Sequence, residues 1–309
     1  MDNFNWKKKG ILLSEPESGY SHCSHPTAIN LESNHFQIAF TSRDQQGKSH
    51  IFTCKAVVDD GIITLDPKKQ KALSPGPHGH FDSDGTISAS FLKISEKTYL
   101  YYVGWLNLTG GIWSCNSGRA IFDTTTSEFH KEFAGPIIGI NRNNPLFAAA
   151  TTFLCKDDKI HCWFVSGLNW TKEKGELKHK YGIFHGISSD GIDWSLDKEL
   201  CIPFKSDLEY AFGRPSIIKF NNLFYMWYGC RETPTTKTYR MGLAFSDDLT
   251  KWTRIDDKSG IDISTTGWDS DMISYPFVFQ HKNFLYMLYN GNGYGKTGFG
   301  YATIKMLNN

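Results

Sequence analysis

The sequence has almost no excess charge of either sign: 33 Lys and Arg stand against 32 Asp and Glu, a formal net charge of +1. Nucleic acids and anionic membranes attract strongly basic proteins, so we expect neither as a partner. No apolar run of signal-peptide length follows the basic start of the chain, and no window approaches a membrane span. These absences predict a cytoplasmic protein without a membrane span.

Paired cysteine motifs are also missing. The seven cysteines are an odd number, lie scattered between Cys23 and Cys230, and include no CxxC. Neither a disulfide framework nor a zinc site is therefore indicated. We expect reduced thiols, mostly buried as small apolar groups, and no metal or cofactor.

What the chain does have is a repeat. A small or proline-containing start, a few apolar residues, a polar turn and an aromatic-rich strand recur from positions 26, 89, 151, 215 and 276, with spacings of 63, 62, 64 and 61 residues. Each unit continues with a third strand and a turn before a tryptophan, as at Trp194 and Trp252. Four strands per unit are typical of a propeller blade. The pattern predicts an all-β, five-bladed β-propeller with four-stranded antiparallel blades, forming a single domain over residues 1–309.

The fifth unit is one strand short. Few residues follow Tyr286, whereas the segment 5–13 contains Trp6 and the apolar run that an outer strand needs. We predict that this N-terminal strand closes the last blade, because the pairing removes an exposed sheet edge.

Several segments resemble a known superfamily. They include Ser24-His-Pro-Thr27, Gly213-Arg-Pro-Ser216 and Trp268-Asp-Ser-Asp-Met-Ile-Ser-Tyr-Pro276. The chain resembles the five-bladed propellers of arabinanases, levansucrases and invertases, and more sharply the uncharacterised glycosidase-like propellers encoded among bacterial surface-polysaccharide genes. The resemblance implies a propeller fold and activity on glycans.

The chain departs from the arabinanase-like pattern at the catalytic positions. His25 stands where the resemblance implies the catalytic base Asp, and Ser90 where it implies the modulating Asp. The acid Glu corresponds to Gly213 or to Ala149. The hydrolytic triad is not carried over, so any catalysis must use other groups.

Two acidic motifs stand at the same offset, seven residues before their repeat anchors. They are Asp82-Ser-Asp84 in the second unit and Asp269-Ser-Asp271 in the fifth. In extended backbone the two carboxylates of each pair face the same way, and glycoside cleavage uses paired carboxylates. The alternative is a turn in which Asp caps backbone amides. Glu209 is either a general acid among aromatic neighbours or an exposed loop residue. The predicted catalytic set is Asp82, Asp84, Glu209, Asp269 and Asp271.

Residues that open first strands or close second strands should meet at one end of the axis. Arg214 is expected to anchor a carboxylate, a phosphate or sugar hydroxyls, or to pair internally with an Asp. Trp105 either stacks on a sugar or packs between blades, and His25 either transfers protons or is structural. The predicted substrate-binding set is His25, Arg43, Trp105, Arg214, Arg231, Glu232, Tyr275, Asn290 and Asn292.

These features favour a glycan-active enzyme, glycoside hydrolase-like or glycosyl-transferring, with an acidic axial pocket. Two alternatives stay open: a non-catalytic propeller that binds a carbohydrate or sugar nucleotide, and a protein-interaction scaffold. The expected partner is a carbohydrate or sugar-nucleotide substrate, and the oligomeric state is not specified by the sequence. Loss of a single carboxylate would reduce turnover by orders of magnitude in an enzyme but have graded effects on a binding module.

Overall fold

The computed structural model describes residues 4–123, 126, 128–173, 176–231 and 238–306. Strands make up 62% of the structure and helices 3%, so the chain is all-β. Within the described ranges, no helix has the length and apolar character needed to cross a bilayer.

The strands follow the sequence repeat. The chain begins with β1 (Lys7–Leu13) and continues in sets of four. The first set is β2 (Ser21–Glu32), β3 (His35–Arg43), β4 (Ser49–Asp59) and β5 (Ile62–Leu73). The second is β6 (Gly85–Ile94), β7 (Lys97–Asn107), β8 (Trp113–Asp123) and β9 (Glu128–Lys131). The third is β10 (Ala148–Lys156), β11 (Lys159–Glu173), β12 (Glu176–Ser188) and β13 (Ser195–Leu200).

The fourth set is β14 (Ala211–Phe220), β15 (Leu223–Arg231), β16 (Arg240–Ser246) and β17 (Thr253–Arg254), and the last strands are β18 (Ser274–His281), β19 (Phe284–Asn290) and β20 (Phe299–Lys305). Short helical turns occur at Thr109–Gly111, Asp256–Lys258 and, as α1, Asn292–Gly295. Neighbouring strands within each set pair antiparallel. Asn221 and Asn222, with φ of 46° and 64°, make the tight hairpin between β14 and β15.

The N-terminal strand completes the last set. β1 pairs antiparallel with β20, in the order β1-β20-β19-β18. Just before β1, the rings of Phe4 and Trp6 pack edge-on against Trp227 of the fourth set, with centroids 4.7 and 5.5 Å away. The predicted role of this segment as the missing outer strand is confirmed by the pairing.

The first strands of the five sets surround one axis. β2 contacts β6, β6 contacts β10, β10 contacts β14, β14 contacts β18, and β18 contacts β2 again. Apolar clusters fill the space between neighbouring sets, and one of them joins Phe36 and Phe40 of the first set to Tyr286 and Phe299 of the last. Aromatic side chains dominate these clusters because each strand face must fill the gap to the next sheet.

Candidate functional site

The repeat anchors are bulges in the first strands. The register shifts at Pro26, Ala89, Thr151, Pro215 and Pro276, so each first strand has one residue more than its partner at this point. Before each proline stands a residue with left-handed backbone: His25 has φ of 50°, Arg214 of 38° and Tyr275 of 54°. Non-glycine residues in this conformation are strained by about 1–3 kcal/mol, and such strain concentrates at functional sites.

These three residues line a pocket of about 110 Å³ at the end of the axis. All five first strands contribute to it, together with aromatic side chains from neighbouring strands and loops. The lining is His25, Ile87, Ser88, Val103, Trp105, Trp113, Cys115, Phe147, Ala149, Thr151, Val165, Tyr181, Gly213, Arg214, Tyr239 and Tyr275. A small, largely apolar pocket with a few convergent polar groups is the usual form of a ligand site.

Arg214 is the charged group of the pocket and is only 4% exposed. Its Nη2 donates to the carbonyl oxygens of Pro26, at 2.8 Å, and of Ala89, at 2.9 Å. The guanidinium therefore connects the first, second and fourth sets across the axis. Burial lowers its pKa to about 9, which leaves it protonated at neutral pH.

His25 and Tyr275 form a stacked pair beside Arg214, with ring centroids 4.0 Å apart. The backbone N–H of His25 donates to Asn290 Oδ1 at 3.0 Å, which orients the strained residue. Burial and the charges of Arg214 and Arg43 hold the pKa of His25 well below its usual range, so the imidazole is neutral at physiological pH. Tyr275 is likewise kept as a neutral phenol, because burial raises its pKa.

Aromatic rings form one wall of the pocket. Trp105 stacks on Trp113 with centroids 4.6 Å apart, and its Nε1 donates to Asn107 Oδ1 at 3.0 Å. Trp113 in turn packs against Phe147 at 4.8 Å. Flat apolar surfaces of this kind suit the apolar face of a sugar ring. Trp105 both packs against its neighbour and presents its ring to the pocket.

A second layer of tyrosines surrounds another arginine, Arg231. The guanidinium of Arg231 lies 4.3 Å from the ring centroid of Tyr239 and donates to Tyr294 Oη and, at 3.4 Å, to Tyr210 Oη. Tyr239 also shares a hydrogen bond with Tyr181 Oη. Arg231 thus stands behind the pocket wall. Arg43, at the exposed end of β3, acts on His25 through its charge.

The lining differs from the acidic pocket expected from the sequence, because it carries Arg214 and, among the described residues, no carboxylate. Asp82 is 2% exposed and accepts hydrogen bonds from Lys131 Nζ at 2.5 Å and Tyr102 Oη at 3.3 Å. Asp269 is equally buried and accepts from Lys8 Nζ at 2.7 Å and Tyr289 Oη at 3.1 Å.

Asp82 and Asp269 occupy equivalent positions and have the same kinds of partner, a lysine and a tyrosine. In both sets a tyrosine on the second strand donates to the carboxylate, and in the second set it reaches over a glycine on the third strand. A Cβ on Gly118 would stand 2.3 Å from the ring of Tyr102, so only glycine leaves room for it. The fourth set repeats the arrangement with Tyr228, whose Oη donates to Asp256 at 2.6 Å. The first Asp of each motif therefore has structural contacts, but its partners are lysine and tyrosine side chains and not the backbone amides of the capping turn considered above.

Glu209 also forms an ion pair and does not line the pocket. Its two carboxylate oxygens accept from Nη1 and Nη2 of Arg254, both at 2.8 Å, and Oε2 accepts from the backbone N–H of Lys205 at 2.6 Å. The side chain is 4% exposed. It is neither the exposed loop residue nor the isolated acid that the sequence suggested, because a bidentate ion pair holds it.

The second Asp of each motif is less constrained. Asp84 is 26% exposed, accepts the backbone N–H of Asn107 at 2.8 Å and lies 3.7 Å from Lys48 Nζ. Its backbone N–H donates to the carbonyl of Trp105, which places it at the edge of the aromatic wall. Asp271 is exposed, and its side chain forms no ion pair among the described residues.

The two predicted asparagines have structural contacts. Asn290 is fully buried beside His25, as described above. Asn292 Oδ1 accepts the backbone N–H groups of Asp271 and Met272, at 2.8 and 3.0 Å, and so holds the loop before β18. Glu232 lies outside the described residues.

Sequence reasoning missed several residues of the pocket. Ser88 directly precedes the second anchor and Thr151 is the third anchor, so an alignment at the anchors would have identified them. Tyr181 and Tyr239 come from the region of the third strands, and no feature of the repeat connects them with the axis. Their hydroxyl groups meet only when the third and fourth sets pack together.

The chain was compared with known proteins. No protein-family model matches it. It is 30% identical over 304 residues to two proteins of Mycobacterium tuberculosis, "Uncharacterized protein MT1551" of strain CDC 1551 / Oshkosh and "Uncharacterized protein Rv1502" of strain ATCC 25618 / H37Rv. The alignments cover 97% of this chain and 99% of each relative. The chain belongs to the family of these two proteins.

Solved structures show the same fold. A structure described as "Glycoside hydrolase" superposes with a TM-score of 0.73 over 97% of this chain and 92% of its own, at 16% identity. The α-L-arabinofuranosidase from Lactobacillus brevis gives 0.67 over 95% and 93%, at 12% identity. A third, from a study of the GH130 mannoside phosphorylases and hydrolases, gives 0.67 over 98% and 94%, at 13% identity. The likeness shows that the chain shares the fold of these solved structures, as the sequence resemblance implied.

Proposed function

We propose that this protein is a glycan-active enzyme, glycosidase-like or glycosyl-transferring, built as a closed five-bladed propeller that binds a sugar at the end of its axis. The single domain spans the five strand sets, each of which is one blade. The fold of the solved glycoside hydrolases supports this proposal, and so does the ring of contacts between the five first strands.

The observation that carries the proposal is the geometry of the axial pocket. Three strained pre-proline residues from different sets, His25, Arg214 and Tyr275, point into one cavity beside the stacked Trp105. The cavity is smaller than the roughly 300–1,000 Å³ typical of sites for drug-sized ligands. It therefore suits one terminal sugar residue or a substituent, while the rest of a longer glycan would extend outward.

Asp84 and Asp271 are the acids we assign to the chemistry. Of the five carboxylates considered, Asp82, Asp269 and Glu209 are neutralised by buried ion pairs. Asp84 remains partly exposed next to Trp105, and Asp271 follows the loop held by Asn292. One as proton donor and the other as base would satisfy glycoside cleavage if a bound glycan passes between them.

The second candidate is a non-catalytic propeller that binds a carbohydrate or sugar nucleotide. It is favoured by the pocket lining, in which the described chain places no carboxylate. The two candidates share the same pocket and differ only in whether the rim acids turn over a bound glycan.

Binding and turnover assays with a panel of glycosides distinguish the two candidate functions. Thermal-shift and calorimetric titrations identify a bound glycan, and release of reducing sugar from that glycan measures turnover. Trp105→Ala should weaken binding by roughly tenfold or more, since it removes an aromatic wall. Asp84→Asn and Asp271→Asn should reduce turnover by orders of magnitude with little loss of binding.

Leu108→Ala is the matched control for Trp105→Ala, because Leu108 is 45% exposed and lies outside the pocket. Binding without turnover in the wild type would establish the second candidate. Failure of every glycan to bind, or equal binding by wild type and Trp105→Ala, would contradict both.

A further inference from the structure

The axial arginine lacks an anionic partner. Both hydrogen bonds of Arg214 Nη2 go to neutral carbonyl oxygens, and Nη1 is buried without a hydrogen-bond partner among the described residues. A buried charged group without compensation is strongly unfavourable, which is the reason burial lowers its pKa to about 9. The fold therefore keeps a buried guanidinium at the pocket whose charge and hydrogen-bond donors are only partly compensated.

Two other buried arginines of this chain have a carboxylate partner. Arg119 is 3% exposed and pairs with Glu132. Arg254 is 7% exposed at its side chain and pairs with Glu209 and Asp256. Both are structural ion pairs with the carboxylate supplied from within the chain. Arg214 is equally buried, yet it faces the cavity.

The surroundings of Arg214 add positive potential. The charges of Arg214 and Arg43 lower the pKa of His25, and no acid is among the groups that shift it. In a low-dielectric cavity such charges favour a bound anion. Two hydroxyls of the lining, Ser88 Oγ and Thr151 Oγ1, are also buried without partners in the described structure. They are suited to donate to the same anion.

From this arrangement, we propose that the axial pocket recognises an oxyanion carried by the sugar, a carboxylate or a phosphate, with Arg214 Nη1 as the charged donor and Ser88 and Thr151 as neutral donors. The sugar part of this inference rests on the proposed function, whereas the anion part rests on Arg214. Neutral glycans would leave the guanidinium unpaired and should bind more weakly.

The test compares four probes by calorimetry at pH 7 and low salt: D-glucose, D-glucuronate, glucose 1-phosphate and inorganic phosphate. We expect the wild type to bind D-glucuronate or glucose 1-phosphate at least about tenfold more tightly than D-glucose. The better of the two acidic sugars identifies carboxylate or phosphate as the anion. This comparison needs no variant, so it holds even if an Arg214 substitution prevents folding.

Arg214→Met should remove the preference for acidic over neutral sugar, and Arg214→Lys should retain part of it because the charge remains. Arg142→Met, which removes an exposed arginine, is the control and should leave the preference unchanged. Tighter or equal binding of D-glucose by the wild type would overturn the anion site but not the proposed function. Inorganic phosphate binding that depends on Arg214, with no sugar bound, would support the anion site and contradict the proposed function. A preference that survives in Arg214→Met, or binding of none of the probes, would overturn the assignment.

Discussion

Replacing Asp269 by Asn tests whether the first Asp of the acidic motif is structural. Its carboxylate is 2% exposed and accepts hydrogen bonds from Lys8 and Tyr289. Lys8 lies on β1 and Asp269 lies just before β18, the two edges of the sheet that the N-terminal strand completes. Asn keeps the shape but removes the charge, so the ammonium of Lys8 loses its counterion.

The expected loss follows from the burial of the pair. Removing one member of a buried ion pair costs about 3–5 kcal/mol. Lys8 is 26% exposed, so it can regain part of its hydration, and the Asn oxygen can still accept one hydrogen bond. We therefore expect the free energy of unfolding to fall by about 2–3 kcal/mol. At about 2–4 °C per kcal/mol, the value for domains of about 150–250 residues, this corresponds to a decrease in Tm of roughly 4–12 °C.

The assay is thermal and urea unfolding followed by circular dichroism at pH 7. Asp271→Asn is the matched control: it makes the same chemical change two residues along, at an exposed side chain, and should stay within about 0.5 kcal/mol of wild type. Equal stability of the two variants would refute the structural role. Loss of turnover by Asp269→Asn without loss of stability would restore Asp269 as a catalytic candidate.

Four further outcomes are expected. Deleting residues 1–14 should make the protein insoluble or strongly lower its Tm, since β1 completes the last sheet; an unchanged Tm would contradict that closure. Glu209→Gln should lower the free energy of unfolding by about 3–5 kcal/mol through loss of the Arg254 pair, with the turnover of the folded fraction retained, whereas general acid catalysis would abolish turnover. Burial and the charge of Arg231 lower the pKa of His179 to about 4, so between about pH 6.5 and 4 the unfolded histidine takes up a proton that the folded one does not. Unfolding titrations should therefore show the free energy of unfolding falling by up to about 3 kcal/mol as the pH drops through this range. His179→Gln should reduce that pH dependence. A thiol reagent should modify Cys155 in the native protein and all seven cysteines after unfolding, and mass spectrometry showing a disulfide would contradict this expectation.

The strand order and the position of the pocket were available from the sequence. Strands and hairpins are specified by local alternation and turn residues, so equal spacings of the anchors indicated five equivalent units before any contact was known. Residues just before the anchors were expected to start the innermost strands, and His25, Arg214 and Tyr275, which stand at these positions, line the pocket.

Tertiary structure determined which of the predicted acids are neutralised by ion pairs. Lys8 pairs with Asp269 across 261 residues of sequence, Lys131 with Asp82 across 49, and Arg254 with Glu209 across 45. A sequence pattern shows that a carboxylate stands beside a strand, but its charge and availability depend on the partner that packing brings within about 3 Å. The sequence therefore indicated the repeated strand sets, whereas long-range packing paired three of the expected acids with distant bases and left Arg214 as the charged group of the pocket.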